Sequence, residues 1–92
     1  MDPIEKQLKQ LPKEPGVYLM KNASNEILYV GKAKQLKSRV RQYFHPSGDE
    51  RFMIPYLISQ VTNIETIVTL SEKEALLLEN TLIKKHQPKY NV

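Results

Sequence analysis

Residues 16–32 read GVYLMKNASNEILYVGK, and their interpretation decides the fold. GVYLMK (16–21) and ILYVGK (27–32) are rich in β-branched and aromatic residues, as strands are. The polar stretch 22–26 between them suits a hairpin loop. Alternation puts Tyr18 and Met20 on one face of the first strand, and Ile27, Tyr29 and Gly31 on one face of the second. A connection with an even number of residues brings Tyr18 and Tyr29 onto a common face, because a slip of one residue flips every side chain. Gly31 marks a point where the backbone comes close to something else.

The segment after the hairpin, 33–44, is predicted helical. Its apolar stripe is Leu36, Val40, Tyr43 and Phe44, and Arg39 stands at the stripe's edge one turn before Tyr43. His45-Pro46-Ser47-Gly48 ends it. A further helix over 51–60 and an alternating, β-branched strand over 63–70 (NIETIVTL) follow. Ser71 and Glu74 form a capping box that opens the longest helix, which runs to about 85 and stops at Gln87-Pro88. On the N-terminal side, Asp2, Pro3 and Glu5 start a short helix over 3–11, closed by Pro12 and Pro15. The result is a single α+β domain spanning 1–92: a small three-stranded antiparallel sheet flanked by helices.

Composition narrows the function. With 92 residues, 40% hydrophobic and no Trp, the chain supports one modest core. It has no Cys, which rules out disulfides and cysteine-based zinc sites and fits a reducing cytoplasm. No apolar run approaches a membrane span, and MDPIEKQLKQ lacks the apolar centre of a signal peptide. Lys and Arg outnumber Asp and Glu by 14 to 10, a net charge of +4. The excess is concentrated. Lys32, Lys34, Lys37, Arg39 and Arg41 lie in an acid-free stretch, and Lys84, Lys85, His86 and Lys89 form a second group. Two solvated helix faces would account for this pattern, and so would two contacts to DNA.

The last helix carries the most informative residue. At 100° per residue, Ala75, Leu76, Leu78, Leu82 and Ile83 form its buried stripe, and Glu79 falls inside it. A carboxylate there needs a salt bridge, a raised pKa or a bound cation. Taken alone, the position favours an ion pair, with Arg39 as the partner. Tyr29 by itself reads as an ordinary half-buried strand tyrosine, although a lysine as near in sequence as Lys32 favours the ionised form of a tyrosine. His45 reads as a loop residue and His86 as a helix-end residue, and neither is taken as a base.

Together these residues resemble the GIY-YIG nucleases. Gly16-Val17-Tyr18 and Tyr29-Val30-Gly31 match the two signature tripeptides, with Val for Ile in each. Arg39 and Tyr43 stand where that family carries its arginine and second tyrosine, Glu79 at its metal-binding glutamate, and Asn91 at its late asparagine. LYVGKAKQLKSRVRQYF and EALLLENTLIKKHQPKYNV are similar to the branch serving bacterial nucleotide excision repair, more than to homing endonucleases or small stand-alone enzymes. The resemblance covers nearly the whole chain and implies an N-terminal fragment of a longer protein.

What the resemblance implies is hydrolysis of one phosphodiester in one DNA strand, the 3′ incision of excision repair. Glu79 would hold a divalent metal, Mg²⁺ or Mn²⁺. Tyr29 would be the general base, assisted by Lys32, while Arg39 and Tyr43 hold the phosphate and the attacking water. Tyr18 would order Tyr29, with Gly31 and Asn91 in support. Lys34, Lys37, Arg41, Lys84 and Lys85 are the expected DNA contacts, and the isolated domain is expected to be monomeric. The alternatives are another small nuclease of the family, a non-catalytic basic nucleic-acid-binding module, and a structural domain with no nucleic-acid role. A carboxylate inside an apolar stripe, expected to face the tyrosines, argues against a pure binder.

Overall fold

β1 (Gly16–Lys21) and β2 (Ile27–Ala33) form the hairpin, and β3 (Asn63–Val68) pairs antiparallel with the other side of β1, giving the order β2-β1-β3. The helices are α1 (Pro3–Lys9), α2 (Leu36–Phe44), α3 (Ile54–Gln60) and α4 (Glu72–His86). This computed structural model describes residues 3–45 and 53–91. Pro46-Ser47-Gly48 and the first two residues of the helix expected over 51–60 lie outside the described residues.

The central strand β1 is buried on both faces. One face carries Tyr18 and Met20, joined by Leu28 and Ile64 and covered by Leu36, Val40 and Tyr43 of α2 and Ile54 and Leu57 of α3. The other carries Val17, Leu19 and Val30, packed against Ala75, Leu78, Leu82 and Ile83 of α4. A sheet covered on both faces explains why GVYLMK reads as a nearly continuous apolar run.

The hairpin register turns on an irregularity. Gly31 lies opposite Tyr18 and Tyr29 opposite Met20, but Ile27 lies opposite Lys21, so Leu28 is an extra residue. The connection 22–26 has an odd length, and without this bulge Tyr29 would face away from Tyr18. The bulge restores the shared face. It also sends Ile27 to the α4 side, where it packs near Val17 and Leu19. Ile27 therefore does not share a face with Tyr29, contrary to strict alternation.

Other boundaries move for local reasons. α2 starts at Leu36 because Ala33 still belongs to β2, paired with Gly16. Its first N–H groups, on Leu36 and Lys37, donate to Glu14 and Pro12 carbonyls. β3 ends at Val68 because β1 offers no partner before Gly16. Thr69 then donates its N–H to Pro15, and Leu70 is left 94% exposed. At α4, Ser71 accepts from the Glu74 N–H, while the Glu74 carboxylate reaches back to Leu70 N, one residue beyond the usual box. Gln87, in the left-handed region with φ 44°, closes this helix and Pro88 follows. Leu76, expected in the buried stripe, is 42% exposed. Among the described residues no helix is long and apolar enough to cross a membrane.

Two side-chain amides complete the outer edges of the sheet. On β2, Val30 N donates to Asn91 Oδ1 and Asn91 Nδ2 donates to Val30 O, each at 2.8 Å. On the β3 side, Ile64 N donates to Gln7 Oε1 at 2.8 Å and Gln7 Nε2 donates to Thr62 O at 3.4 Å.

Candidate active site

The shared face brings three tyrosines into one cluster. Ring centroids are 6.3 Å apart for Tyr18–Tyr29, 5.7 Å for Tyr18–Tyr43 and 6.1 Å for Tyr29–Tyr43. These separations and tilts suit the aromatic quadrupole. The Tyr18 and Tyr43 hydroxyls share a 2.7 Å hydrogen bond. Arg39 Nη2 donates to Tyr43 Oη at 3.2 Å, Nη1 donates to Gln42 Oε1 at 3.0 Å, and the guanidinium lies 4.7 Å from the Tyr43 ring centre. Gln42 was not anticipated. The signal for it was the i, i+3 spacing from Arg39 on one helix flank.

Burial separates the three phenols. Tyr18 is 1% and Tyr43 4% exposed, whereas Tyr29 is half-buried. Burial, reinforced by the neighbouring Tyr43, pushes the Tyr18 hydroxyl far above the usual tyrosine range. Burial also raises Tyr43, outweighing the opposing hydrogen bond from Tyr18 and the charge of Arg39. Both remain protonated at neutral pH and act as fixed hydrogen-bonding groups. Tyr29 is the member of the cluster that solvent and a substrate can reach.

Gly31 makes the cluster possible. A Cβ at this position would overlap the Tyr18 ring and hydroxyl. The ring is rigid and packed on all sides, so it cannot step aside at low cost. Gly31→Ala should therefore destabilise the fold by about 1–3 kcal/mol, the usual cost of overpacking a core. The measurement is a urea unfolding midpoint at unchanged slope. A midpoint equal to the parent's would show that Tyr18 can yield without cost.

β2 is held on both sides of Tyr29. Tyr90 N donates to Leu28 O at 2.9 Å, and Asn91 clips both polar groups of Val30. Gln60 Nε2 donates to the Tyr90 hydroxyl at 2.6 Å, tying this segment to α3. Asn91 thus fixes the backbone beside Tyr29 from outside the strand.

Glu79 approaches differently from the sequence expectation. α4 covers the sheet face opposite the tyrosines, so Glu79 does not face them across a common core. It is half-buried, at the margin of the stripe. The helical repeat puts it on the same flank as Glu72, two turns on. Glu72 lines a surface depression together with Lys32 and Arg39. That flank of α4 therefore starts beside the end of β2, in the layer opposite the tyrosines. Lys32, opposite Val17, leaves β2 on the α4 face, away from the tyrosines, and lines the depression with Arg39 and Glu72.

Among the described residues the one ion pair is Lys21–Glu65, so the Arg39–Glu79 pair left open by the sequence is not formed. Nor do the described residues contain a group of three or more His, Asp or Glu that could cage a metal. A single accessible carboxylate fits Mg²⁺, which keeps most of its waters.

The expected DNA contacts divide. Lys34 lines the depression. Lys37 donates its Nζ to the Lys9 carbonyl at 3.1 Å, closing the end of α1. Arg41, exposed, lies on that same flank of α2, about 160° round from Arg39. Lys84 and Lys85 are exposed on parts of α4 turned away from the Glu79 flank.

Comparison with known proteins identifies the family of the fold. The family model for the UvrC-like GIY-YIG domain matches residues 14–92. The chain is 63% identical over 86 residues to UvrABC system protein C of Protochlamydia amoebophila, covering 94% of this chain and 14% of that protein. It is 59% identical over 85 residues to the Chlamydia pneumoniae protein of the same name, covering 92% and 14%. The chain thus spans about one-seventh of the length of these relatives. A solved structure, the GIY-YIG N-terminal endonuclease domain of UvrC from Thermotoga maritima bound to its catalytic magnesium, superposes with a TM-score of 0.87. It is 41% identical and covers 100% of this chain and 99% of that one. The chain belongs to the UvrC-like GIY-YIG domain family and is an endonuclease domain of that kind.

Proposed function

We propose that this domain hydrolyses one phosphodiester in one DNA strand with a divalent cation, Mg²⁺ or Mn²⁺, held by Glu79. Within a longer cytoplasmic protein it makes the 3′ incision of bacterial nucleotide excision repair. Damage recognition dependent on UvrA, and engagement of UvrB, belong to that longer protein. What supports the reading is a locked tyrosine cluster that leaves Tyr29 half-buried on β2, with a half-buried carboxylate, Glu79, on the flank of α4 whose Glu72 lines the same depression as Arg39.

In this reading the scissile phosphate lies over the rim of β2, and Arg39 pairs with its oxygens, a geometry that suits a guanidinium. Tyr29, once its own hydroxyl proton has passed to solvent, accepts the proton of the attacking water. Tyr18 and Tyr43, fixed in their protonated forms, hold the Tyr29 ring and orient the water. Asn91 keeps the backbone under Tyr29 from shifting. The cation supplies charge neutralisation of the phosphate and of the departing oxygen.

The test uses the full-length protein with its repair partners on an end-labelled, lesion-bearing duplex. Removing residues 1–92 should abolish the 3′ cut, while a duplex already nicked on the 3′ side should still receive the 5′ cut. Survival of the 3′ product after the deletion would assign that cut elsewhere.

A further inference from the structure

Next to the tyrosine cluster lies an open depression of about 380 Å³ between the end of β2, α2 and the start of α4. The strand end contributes Lys32 and Lys34. α2 contributes Gln35, Ser38, Arg39 and Gln42. These four recur at i, i+3, i+4 and i+7, so one flank of α2 feeds this depression while Lys37 and Arg41 sit on the other. Three cations, two amides and a hydroxyl converging on an open concavity suit a small anion rich in acceptor oxygens. The helix N-terminus plays no part in this, because its first N–H groups are taken by Glu14 and Pro12.

Arg39 stands on the boundary. One arm of its guanidinium meets Tyr43 in the cluster and the other meets Gln42 in the depression. A phosphate in the depression and a phosphate at the tyrosines would thus share Arg39, as consecutive phosphates of one strand can. We propose that the depression is a binding subsite for the DNA phosphodiester adjacent to the scissile one, with Lys34 and the amide groups of Gln35 and Gln42 as its specific ligands and Ser38, whose hydroxyl donates to Gln35 Oε1 at 2.6 Å, orienting the first of those amides. The proposal rests on the nuclease reading above. Gln42 has a second task as a positioning residue, since it fixes the rotation of the Arg39 guanidinium.

Glu72 gives the proposal a distinctive signature. It is the single acid among the described residues of the lining, exposed, and it enters from the start of α4. Its charge repels a phosphate bound there, so the subsite grips weakly and removing that charge strengthens it. A general effect of net charge is separated by Glu5→Gln, the same loss of charge in the first turn of α1, on a helix that contributes nothing to the depression.

The experiment titrates the isotope-labelled, metal-free 92-residue chain with the single-stranded tetranucleotide dT4 at low salt. Glu72→Gln should tighten binding about threefold to tenfold, and Glu5→Gln should not. The side-chain amide signals of Gln35 and Gln42 should move in the parent, and Ser38→Ala with Gln42→Ala should weaken binding by a similar factor. If Glu72→Gln and Glu5→Gln coincide and the amide signals stay in place, the contact is diffuse and the subsite is refuted. That outcome leaves the nuclease reading standing if deletion of the domain still removes the 3′ cut. Survival of that cut after the deletion overturns the nuclease reading whatever the titration shows.

Discussion

Glu79→Gln should remove the 3′ cut altogether while the protein stays folded. The substitution keeps the volume of the side chain and deletes its charge. Glu79 is half-buried at the margin of α4 and makes no ion pair among the described residues, so no buried partner is left stranded by the change. The stability loss should be under about 1 kcal/mol, as for a surface substitution. The catalytic loss should be complete, because among the described residues no group of acidic or imidazole ligands stands by to replace the carboxylate. Two measurements are needed: incision by the reassembled full-length protein, and Mn²⁺-induced broadening of amide signals in the chain. In the parent, broadening should centre on Glu79 and the neighbouring rim of β2, and Mg²⁺ should reverse it. A variant that cuts at the parent's rate, or that still concentrates Mn²⁺ at the same rim, would remove Glu79 from the metal site. A variant that unfolds would instead make Glu79 a structural residue.

Tyr29→Phe should slow the same cut by about 10²–10⁴-fold, the usual worth of a general base. The ring keeps its packing against Tyr18 and Tyr43, so DNA affinity should change little, and the stability loss is that of one part-exposed hydrogen bond to Tyr43, about 0.5–1.5 kcal/mol. Tyr18→Phe provides the contrast. It removes a buried hydroxyl bonded to Tyr43 and leaves that partner short of a hydrogen bond, which costs about 1–3 kcal/mol of stability. Its effect on rate should be the smaller of the two, because Tyr18 holds the cluster and does not meet substrate. A Tyr29→Phe rate within a few-fold of the parent would move the base to another group.

The two strands of the hairpin were legible because aromatic and β-branched residues crowd them, and α4 because Ser71 and Glu74 announce its start. The convergence of Tyr18 and Tyr29 depended on a parity that the loop length alone gives wrongly. The bulge at Leu28 corrects it, and a bulge is chosen by the packing of the whole face: Leu28, 2% exposed, joins the core beneath α2 and α3. Periodicity along one strand cannot see that choice. Strand order was hidden for the same reason, since β3 reaches β1 from a distant part of the chain. The side of the sheet from which Glu79 arrives was also hidden. A helical projection gives its flank but not the layer in which the helix lies. Gln42 and Glu72, by contrast, were within reach of the spacing rules already applied to Arg39 and Glu79.

The amides of Gln7 and Asn91 have a consequence for how the molecule behaves in company. A three-stranded sheet has two bare rims, and a bare rim is a template on which another chain can add a strand and begin a fibre. Each of these side chains offers a peptide-like donor and acceptor to the rim and then stops, with no next residue to carry the ladder onward. One plug sits at the start of β3 and the other in the middle of β2, so neither strand presents an unbroken run long enough to seed growth. The rim beside Tyr29 is thereby closed to other proteins' strands, and the domain is protected against polymerisation at the edge nearest its tyrosine cluster.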